Sequence, residues 1–193
     1  MLNRRTFFIR EQVGMLKLKG AYDILDPDTQ QQLGKATETT PGWALAMRMV
    51  LKKQMLPMRV DVRDAQDAQM LSITRGWTFF RSKVHVNNAQ NEPIGYFKSK
   101  LFSFGGGFHV YGMDNVKVAE IKGNWRGKDF KFVNSTGQEL GSVNKKWAGL
   151  GKELFTTADN YLITLNDNGD MQQASSALLL AAGLAIDTVY KEK

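Results

Sequence analysis

Cysteine is absent from this chain of 193 residues. Disulfides, thiolate metal sites, cysteine nucleophiles and palmitoylation are therefore excluded. Histidine is scarce: His85 and His109 are the only two, each inside an alternating, strand-like stretch. Neither histidine belongs to a metalloprotease, hydrolase or nucleotide-binding motif. We interpret both as structural and predict that the chain is not an enzyme.

Long apolar segments are also missing. The N-terminal stretch, MLNRRTFFIR, lacks the apolar region of about 7–15 residues found in secretory signals. The apolar run at 177–186 has about half the ~20 residues needed to cross hydrocarbon. No linker or low-complexity tract interrupts the chain. We expect a single domain over residues 1–193, cytoplasmic and without a transmembrane span.

Acidic residues are outnumbered, because the chain has a net charge of +7 and an isoelectric point near 9.6. A basic surface of this kind favours anionic partners such as nucleic acid or anionic lipid. It is equally typical of a solvated surface with no specific partner.

The most informative stretch that is present is 170–190, DMQQASSALLLAAGLAIDTVY. From Ala177 to Ile186 every residue is Ala, Leu, Ile or Gly. A helix with no polar face must be buried on all sides. We predict a helix enclosed by protein; packing on one face of a sheet and a membrane anchor are the alternatives.

Upstream, a strand–turn–strand pattern recurs at intervals of about 20–25 residues. Alternate residues are apolar in each strand, which is typical of a strand with one buried face. The turns between the strands are rich in Asp, Asn, Gln and Gly. The five copies are 21–38, 58–76, 83–100, 108–123 and 129–146.

These hairpins, with Thr6–Arg10 and Asn160–Leu165, predict about twelve antiparallel strands. A closed barrel of that size is too wide to be filled by strand side chains alone. The apolar C-terminal helix is the only segment suited to fill it. We predict a mainly β (α+β) fold, a twelve-stranded closed barrel enclosing that helix.

Two connections interrupt the pattern. Residues 41–56 (PGWALAMRMVLKKQML) suggest a basic amphipathic helix that caps the barrel or touches a membrane, or else an irregular strand pair. Residues 147–157 (WAGLGKELFTT) predict a glycine-rich turn with a short helix before the last strand.

The C-terminal third resembles the phospholipid scramblase family. That family has a similar G-x-[IV]-x-[KR]-x-W-x-G segment, an F-T-x-A-D segment and a terminal apolar helix closing on Ile-Asp. A central segment, 93–96 (PIGY), is similar too. The matching positions are Gly141, Val143, Lys145, Trp147, Gly149, Phe155, Thr156, Ala158, Asp159, Asn160, Tyr161, Ile186 and Asp187.

This resemblance implies the fold shared by scramblases, the LURP-one-related proteins and the Tubby C-terminal domain, a twelve-stranded barrel around a hydrophobic helix. The chain departs from animal scramblases because it has no proline-rich extension and no palmitoylated cysteine cluster. It also has Thr157 where the family's proposed calcium segment begins with Asp. Asp159 remains a candidate calcium ligand, but Tyr161, Ile163 and Leu165 add no carboxylate, and calcium prefers six to eight oxygens. We otherwise expect no cofactor.

Basic residues on outward strand faces are the best functional candidates. Lys98 and Lys100 are two apart and share one face of their strand. The next hairpins in sequence carry Lys117, Lys122, Arg126, Lys128 and Lys131. Trp125 and Trp147 are flanked by cations, which suits a headgroup interface, although both could equally be core residues. The predicted anion-binding residues are Lys98, Lys100, Lys122, Arg126, Lys128, Lys145 and Lys146.

The leading hypothesis is a non-enzymatic, scramblase-like protein that binds anionic phospholipids or phosphoinositides peripherally at the cytoplasmic membrane face. Lipid scrambling itself is not expected, because a helix buried in the barrel leaves no segment to cross a bilayer. The alternative is a soluble scaffold or nucleic-acid-associated regulator that acts through a protein partner. A carrier that holds a small ligand in the barrel mouth is a third possibility, made harder by the filling helix.

Overall fold

A computed structural model of the chain describes residues 1–12, 20–39, 41–47, 49–51, 55–77, 83–99, 107–124, 129–144, 160–166 and 173–190. These residues form twelve strands and two helices. The first six strands are β1 (Thr6–Glu11), β2 (Ala21–Leu25), β3 (Gln32–Glu38), β4 (Met58–Asp64), β5 (Gln69–Arg75) and β6 (Lys83–Asn88). The others are β7 (Pro93–Ser99), β8 (Phe108–Tyr111), β9 (Lys117–Asn124), β10 (Asp129–Val133), β11 (Glu139–Asn144) and β12 (Tyr161–Leu165). The helices are α1 (Gly42–Met47) and α2 (Gln173–Tyr190).

The strands close into one antiparallel barrel. Each strand pairs with its neighbours in sequence, and β1 closes the ring by pairing with β12, with Phe7 opposite Ile163. Closure removes the unpaired edges that a sheet would otherwise present for aggregation. The predicted twelve-stranded closed barrel is confirmed.

Alternation along the strands places one face of the sheet in the core. The first strand of each repeated hairpin contains a pair of alternate apolar residues, and all five pairs are buried in the main hydrophobic cluster: Tyr22 and Ile24, Val60 and Val62, Val84 and Val86, Phe108 and Val110, Phe130 and Phe132. The period of two between side chains on one face explains this agreement.

The helix α2 fills the barrel. Every residue from Ser176 to Ile186 is buried, as expected for a stretch of helix that has no polar face. A Cβ added at Gly95 of β7 would lie 2.8 Å from Leu178 of α2, and one added at Gly183 of α2 would lie 2.5 Å from Ile163 of β12. Since β7 and β12 lie on opposite sides of the ring, the helix contacts both walls. The predicted enclosed helix is confirmed.

Five tight turns join β2–β3, β4–β5, β6–β7, β8–β9 and β10–β11, and we call this end of the barrel the turn end. In the β6–β7 turn, Oδ1 of Asn88 accepts hydrogen bonds from the backbone N–H groups of Gln90 and Glu92 at 3.0 and 2.8 Å. Asp64 and Asn134 make the equivalent pairs of bonds in their own turns. Short polar side chains of this kind stabilise turns by replacing backbone bonds.

The opposite end, where β3, β5, β7, β9 and β11 finish, is the loop end. Apart from the four-residue β9–β10 connection, its connections are longer than the tight turns, and of them the structure describes α1 and short flanking segments. In residues 41–56 the described part contains the short helix α1, with Ala44 buried, which agrees with the capping-helix alternative rather than the strand pair. The predicted turn and helix at 147–157 lie outside the described residues.

Two features depart from simple alternation. Three residues on the face that points away from the central helix are nevertheless buried: Phe8, Leu25 and Leu162. Phe8 lies opposite the other two on the adjacent strands. Glu38 and Arg75 take inward positions near the loop end and are also buried. In one contact there, the Arg75 guanidinium donates to the carbonyl of Leu56 at 3.2 Å.

Candidate anion-binding face of the barrel

The outer surface of β6 to β9 carries basic and aromatic side chains on consecutive strands. Val84, Phe97 and Val110 are buried, so the residues that alternate with them face outward. We call these outward residues the basic wall. They are Lys83 and His85 on β6, Tyr96 and Lys98 on β7, His109 and Tyr111 on β8, and Lys117 and Lys122 on β9.

Lys83 and Lys98 occupy directly opposite positions on β6 and β7. Like charges facing each other across a strand pair are destabilising. Within the described part of the chain, neither ammonium group lies within ion-pair distance of a carboxylate. The pair is therefore a concentration of positive charge that the described protein residues leave uncompensated.

Tyr96 lies at the centre of the wall. Its ring stacks on Tyr111 of β8 with centroids 4.9 Å apart, and the Lys83 ammonium lies 4.0 Å from its centroid. Because β6 and β8 flank β7 on opposite sides, both faces of the ring are covered. The hydroxyl donates to Oδ1 of Asn115 at 3.0 Å. These contacts hold Lys83 in place by a cation–π interaction.

Glu120 is the acidic residue of this region. Its carboxylate lies 3.5 Å from the Lys117 ammonium, 3.8 Å from that of Lys122 and 3.9 Å from Nδ1 of His109. Three potential cations therefore share one carboxylate. The β9 side of the wall is partly neutralised, whereas the Lys83–Lys98 side is not.

The pKa of His85 is altered by its surroundings on the basic wall. Partial burial, followed by the nearby positive charge of Lys83, lowers the pKa of its imidazole. Both causes disfavour the protonated ring. The imidazole therefore gains protons less readily than an ordinary histidine, and an anion bound beside it would reverse part of that effect.

The predicted site residues fall into two groups. Lys98 and Lys122 lie on the basic wall, Lys98 opposite Lys83 and Lys122 beside Glu120. The others lie outside the described residues, so their part in binding stays a prediction, as does calcium binding by Asp159. That second group is Lys100, Arg126, Lys128, Lys145, Lys146 and Asp159.

Sequence reasoning missed Lys83, Tyr96 and Tyr111. The signal was present, because the alternation that predicts Val84 and Val86 inward also predicts Lys83 outward, and Tyr96 shares a strand face with Lys98.

Charge is segregated along the barrel axis. The five tight turns contain no Lys or Arg, and their acidic residues are Asp26, Asp28, Asp67, Glu92 and Asp114. Arg4, Lys35 and Arg63 pair with two of these, Asp26 and Asp67.

The connections at the loop end have the opposite composition. Their cations in the sequence are Lys17, Lys19, Arg48, Lys52, Lys53, Arg81, Lys100, Arg126, Lys128, Lys145, Lys146 and Lys152, against Glu153 and Asp159. All of these lie outside the described residues, and the contrast follows from the sequence and the order of the strands.

The described residues contain no group of three or more His, Asp or Glu side chains arranged to hold a metal ion. Among the same residues, neither helix combines the length and hydropathy required for a membrane span.

Comparison with known proteins decides the family. The family model described as Scramblase matches residues 17–193. The chain belongs to the scramblase family. The match extends the resemblance noted in the C-terminal third over nearly the whole chain, and the closed barrel around a C-terminal helix agrees with it. No curated protein and no solved structure matches the chain significantly.

Proposed function

We propose that this scramblase-family barrel binds anionic phospholipid headgroups at the cytoplasmic membrane surface, as a peripheral protein. In this proposal the loop end and the adjoining basic wall face the membrane, and the acidic turn end faces away. The whole chain, residues 1–193, acts as one domain.

One observation carries the proposal: Lys83 and Lys98 face each other without a described carboxylate partner. A protein retains a repulsive cross-strand pair at some cost in stability. A phosphate group bound between the two ammonium groups would turn that repulsion into attraction. Both lysines lie near the loop end, where the connections are rich in cations.

The expected strength is moderate. Each Lys or Arg close to an anionic leaflet contributes about 1 kcal/mol, so four to six of them would give roughly 4–6 kcal/mol. This attraction falls off over a Debye length of about 10 Å at 0.1 M salt. We therefore expect reversible binding that weakens as salt rises.

The proposed role is binding, without catalysis and without movement of lipid across the bilayer. The apolar residues Ala177–Ile186 are enclosed by the barrel, and contact with lipid would require α2 to leave it. Residues Leu178, Leu179, Leu180 and Leu184 of α2 are buried, and removal of α2 would leave the interior of a twelve-stranded barrel unfilled, because strand side chains alone do not fill a barrel of that width. A folded barrel with an intact core is thus suited to the surface of a membrane.

The alternative partner, single-stranded nucleic acid, has one observation in its favour. Exposed aromatic rings among lysines are typical of surfaces on which bases stack. Here, however, Lys83 and Tyr111 cover the two faces of Tyr96, so that ring offers no free face to a base. This geometry favours lipid phosphate over nucleic acid.

Co-sedimentation with vesicles tests the proposal. Vesicles of phosphatidylcholine alone, with phosphatidylserine and with a phosphoinositide are compared at low and moderate salt, with and without calcium. We expect pelleting with both anionic compositions and little with the neutral one. Equal, weak pelleting in all three would contradict the proposal, and release by an oligonucleotide alone would support the nucleic-acid alternative.

The same assay tests the candidate calcium ligand. Calcium dependence of pelleting that disappears in Asp159→Asn would support calcium binding by Asp159.

A further inference from the structure

Large apolar side chains are exposed at the loop end. Met49 and Val50 are 92% and 81% exposed, and Trp43 and Trp77 are 52% and 48% exposed. Met47, one turn after Trp43 on α1, completes the group, which we call the apolar patch. The other exposed large apolar residues described are Met113 and Val116, in the β8–β9 turn at the turn end.

The patch is held in a fixed arrangement. The indole rings of Trp43 and Trp77 stack with centroids 5.5 Å apart and an angle of 21° between their planes. Trp43 belongs to the β3–β4 connection and Trp77 follows β5, so the stack joins two connections. A buried hydrogen bond from Arg75, the last residue of β5, to the carbonyl of Leu56 holds the β3–β4 connection against the barrel. The exposed rings are thus presented by the barrel rather than by a free segment.

The two connections that contain the patch carry charge of one sign in the sequence. Neither the β3–β4 connection, 39–57, nor the β5–β6 connection, 76–82, contains Asp or Glu. Their charged residues are Arg48, Lys52, Lys53 and Arg81. Lys83 begins β6 directly after the second connection. A protein partner would usually present both signs of charge, whereas an anionic bilayer presents phosphate above hydrocarbon.

We propose that the apolar patch is a membrane anchor that inserts into the interfacial region of an anionic bilayer. Tryptophan favours the headgroup level, and apolar side chains beside it enter the acyl boundary. Met49 and Val50 enter most deeply, because they are the most exposed. This anchor rests on the proposed function and adds a salt-resistant contribution to it.

Paired substitutions at the two ends of the barrel test the anchor. Met49→Ser with Val50→Ser removes apolar surface from the patch. Met113→Ser with Val116→Ser, at 57% and 56% exposure, makes the same chemical change at the turn end. All four side chains are exposed, so both double variants should fold. Binding to phosphatidylcholine–phosphatidylserine vesicles is measured at about 0.1 and 0.5 M salt, because the higher salt screens charge.

We expect the patch variant to bind at least roughly tenfold more weakly than the wild type, because loss of even one buried apolar side chain costs about 1.5 kcal/mol or more. The difference should be largest at high salt, and the turn-end variant should bind like the wild type. Equal binding by both variants and the wild type would overturn the anchor while leaving the proposed function intact. Absence of wild-type binding would overturn both.

A pair of substitutions that leaves the charge unchanged distinguishes insertion of the indole rings from electrostatic attraction to the bilayer. Trp43→Phe with Trp77→Phe keeps apolar rings, so vesicle binding should persist. Lipids brominated in the acyl chain should quench wild-type tryptophan fluorescence, and this quenching should fall in the double Phe variant, which keeps Trp125 and Trp147. Unchanged quenching would show that these indoles do not insert. Self-association that is lost in the Met49→Ser, Val50→Ser variant, without any change in vesicle binding, would assign the patch to a second copy of the chain and also overturn the anchor.

Discussion

Gly183 of the central helix lies directly against Ile163 of β12, with no space between them for a side chain. A Cβ on Gly183 would lie 2.5 Å from Cδ1 and 3.0 Å from Cγ1 of Ile163. The close approach lets the helix sit inside the ring, and glycine at this point is explained by packing rather than by backbone conformation.

Gly183→Ala should therefore destabilise the protein. Alanine improves helix propensity by about 1 kcal/mol, but overpacking of a tight core costs about 1–3 kcal/mol. We expect a net loss of about 1 kcal/mol in the free energy of unfolding by urea. Ile163→Val removes Cδ1 and should cost less in the Gly183→Ala background than its usual ~0.5–1.5 kcal/mol. Strictly additive effects would contradict the contact.

The β6–β7 turn gives a second prediction. Asn91 has a φ of 63°, a left-handed conformation that asparagine tolerates and alanine resists. We expect Asn91→Ala to lower stability by about 1 kcal/mol and Asn91→Gly to leave it nearly unchanged. Thermal unfolding measures both, with the neighbouring Gln90→Ala as control. Equal stability of the Ala and Gly variants would be inconsistent with the turn.

Acid stability should depend on Asp26. Backbone N–H groups of Thr29 and Asp28, together with the charge of Arg4, lower the pKa of this carboxyl group. A carboxylate whose folded pKa is lowered stabilises the protein above its usual pKa, and that stability is lost as pH falls through the folded value. The loss should occur below about pH 4.

Asp26→Asn keeps an oxygen for the turn but cannot titrate. Urea unfolding at pH 5, 4 and 3 should show a shallower decline for this variant than for the wild type. Asp28→Asn, in the same turn, is the matched control. An identical decline in the Asp26→Asn variant and the wild type would rule out Asp26 as a source of the pH dependence.

His85 provides a probe of the candidate site. Because partial burial and Lys83 lower its pKa, Lys83→Gln should raise that pKa. A soluble headgroup, such as glycerophosphoserine, should raise it too if the anion binds at the wall. NMR titration of the imidazole measures each shift. A pKa that does not respond to saturating headgroup would place the bound anion elsewhere.

Much of the fold follows from local pattern. Alternation at Val84 and Val86 or Phe130 and Phe132 reports a buried face directly, and an apolar run with no polar side requires enclosure. Closure of the ring could be predicted because strand side chains alone do not fill a twelve-stranded barrel, and the apolar helix is suited to fill it. That residues 1–193 form a single domain stays a prediction.

The site was less accessible to sequence reasoning. Lys98 and Lys122 were identified as basic outward residues, but the register that places Lys98 opposite Lys83 is a property of strand pairing. The proximity of Lys122 to Glu120 could have been predicted, because residues two apart on one strand share a face. The Trp43–Trp77 stack joins separate connections, and no periodic pattern relates residues in two irregular segments. Contacts of this kind depend on tertiary structure.

The most direct test of anionic lipid binding by the basic wall is the salt dependence of vesicle affinity in Lys83→Gln, Lys98→Gln. The control, Arg4→Gln with Lys35→Gln, removes the same charge from residues paired with turn-end carboxylates. At about 1 kcal/mol per lysine, the wall variant should bind phosphatidylserine vesicles roughly tenfold to thirtyfold more weakly at low salt. The control should bind nearly as the wild type does. Equal affinity of the wall variant and the wild type, or wild-type binding that does not weaken as salt rises, would contradict the account.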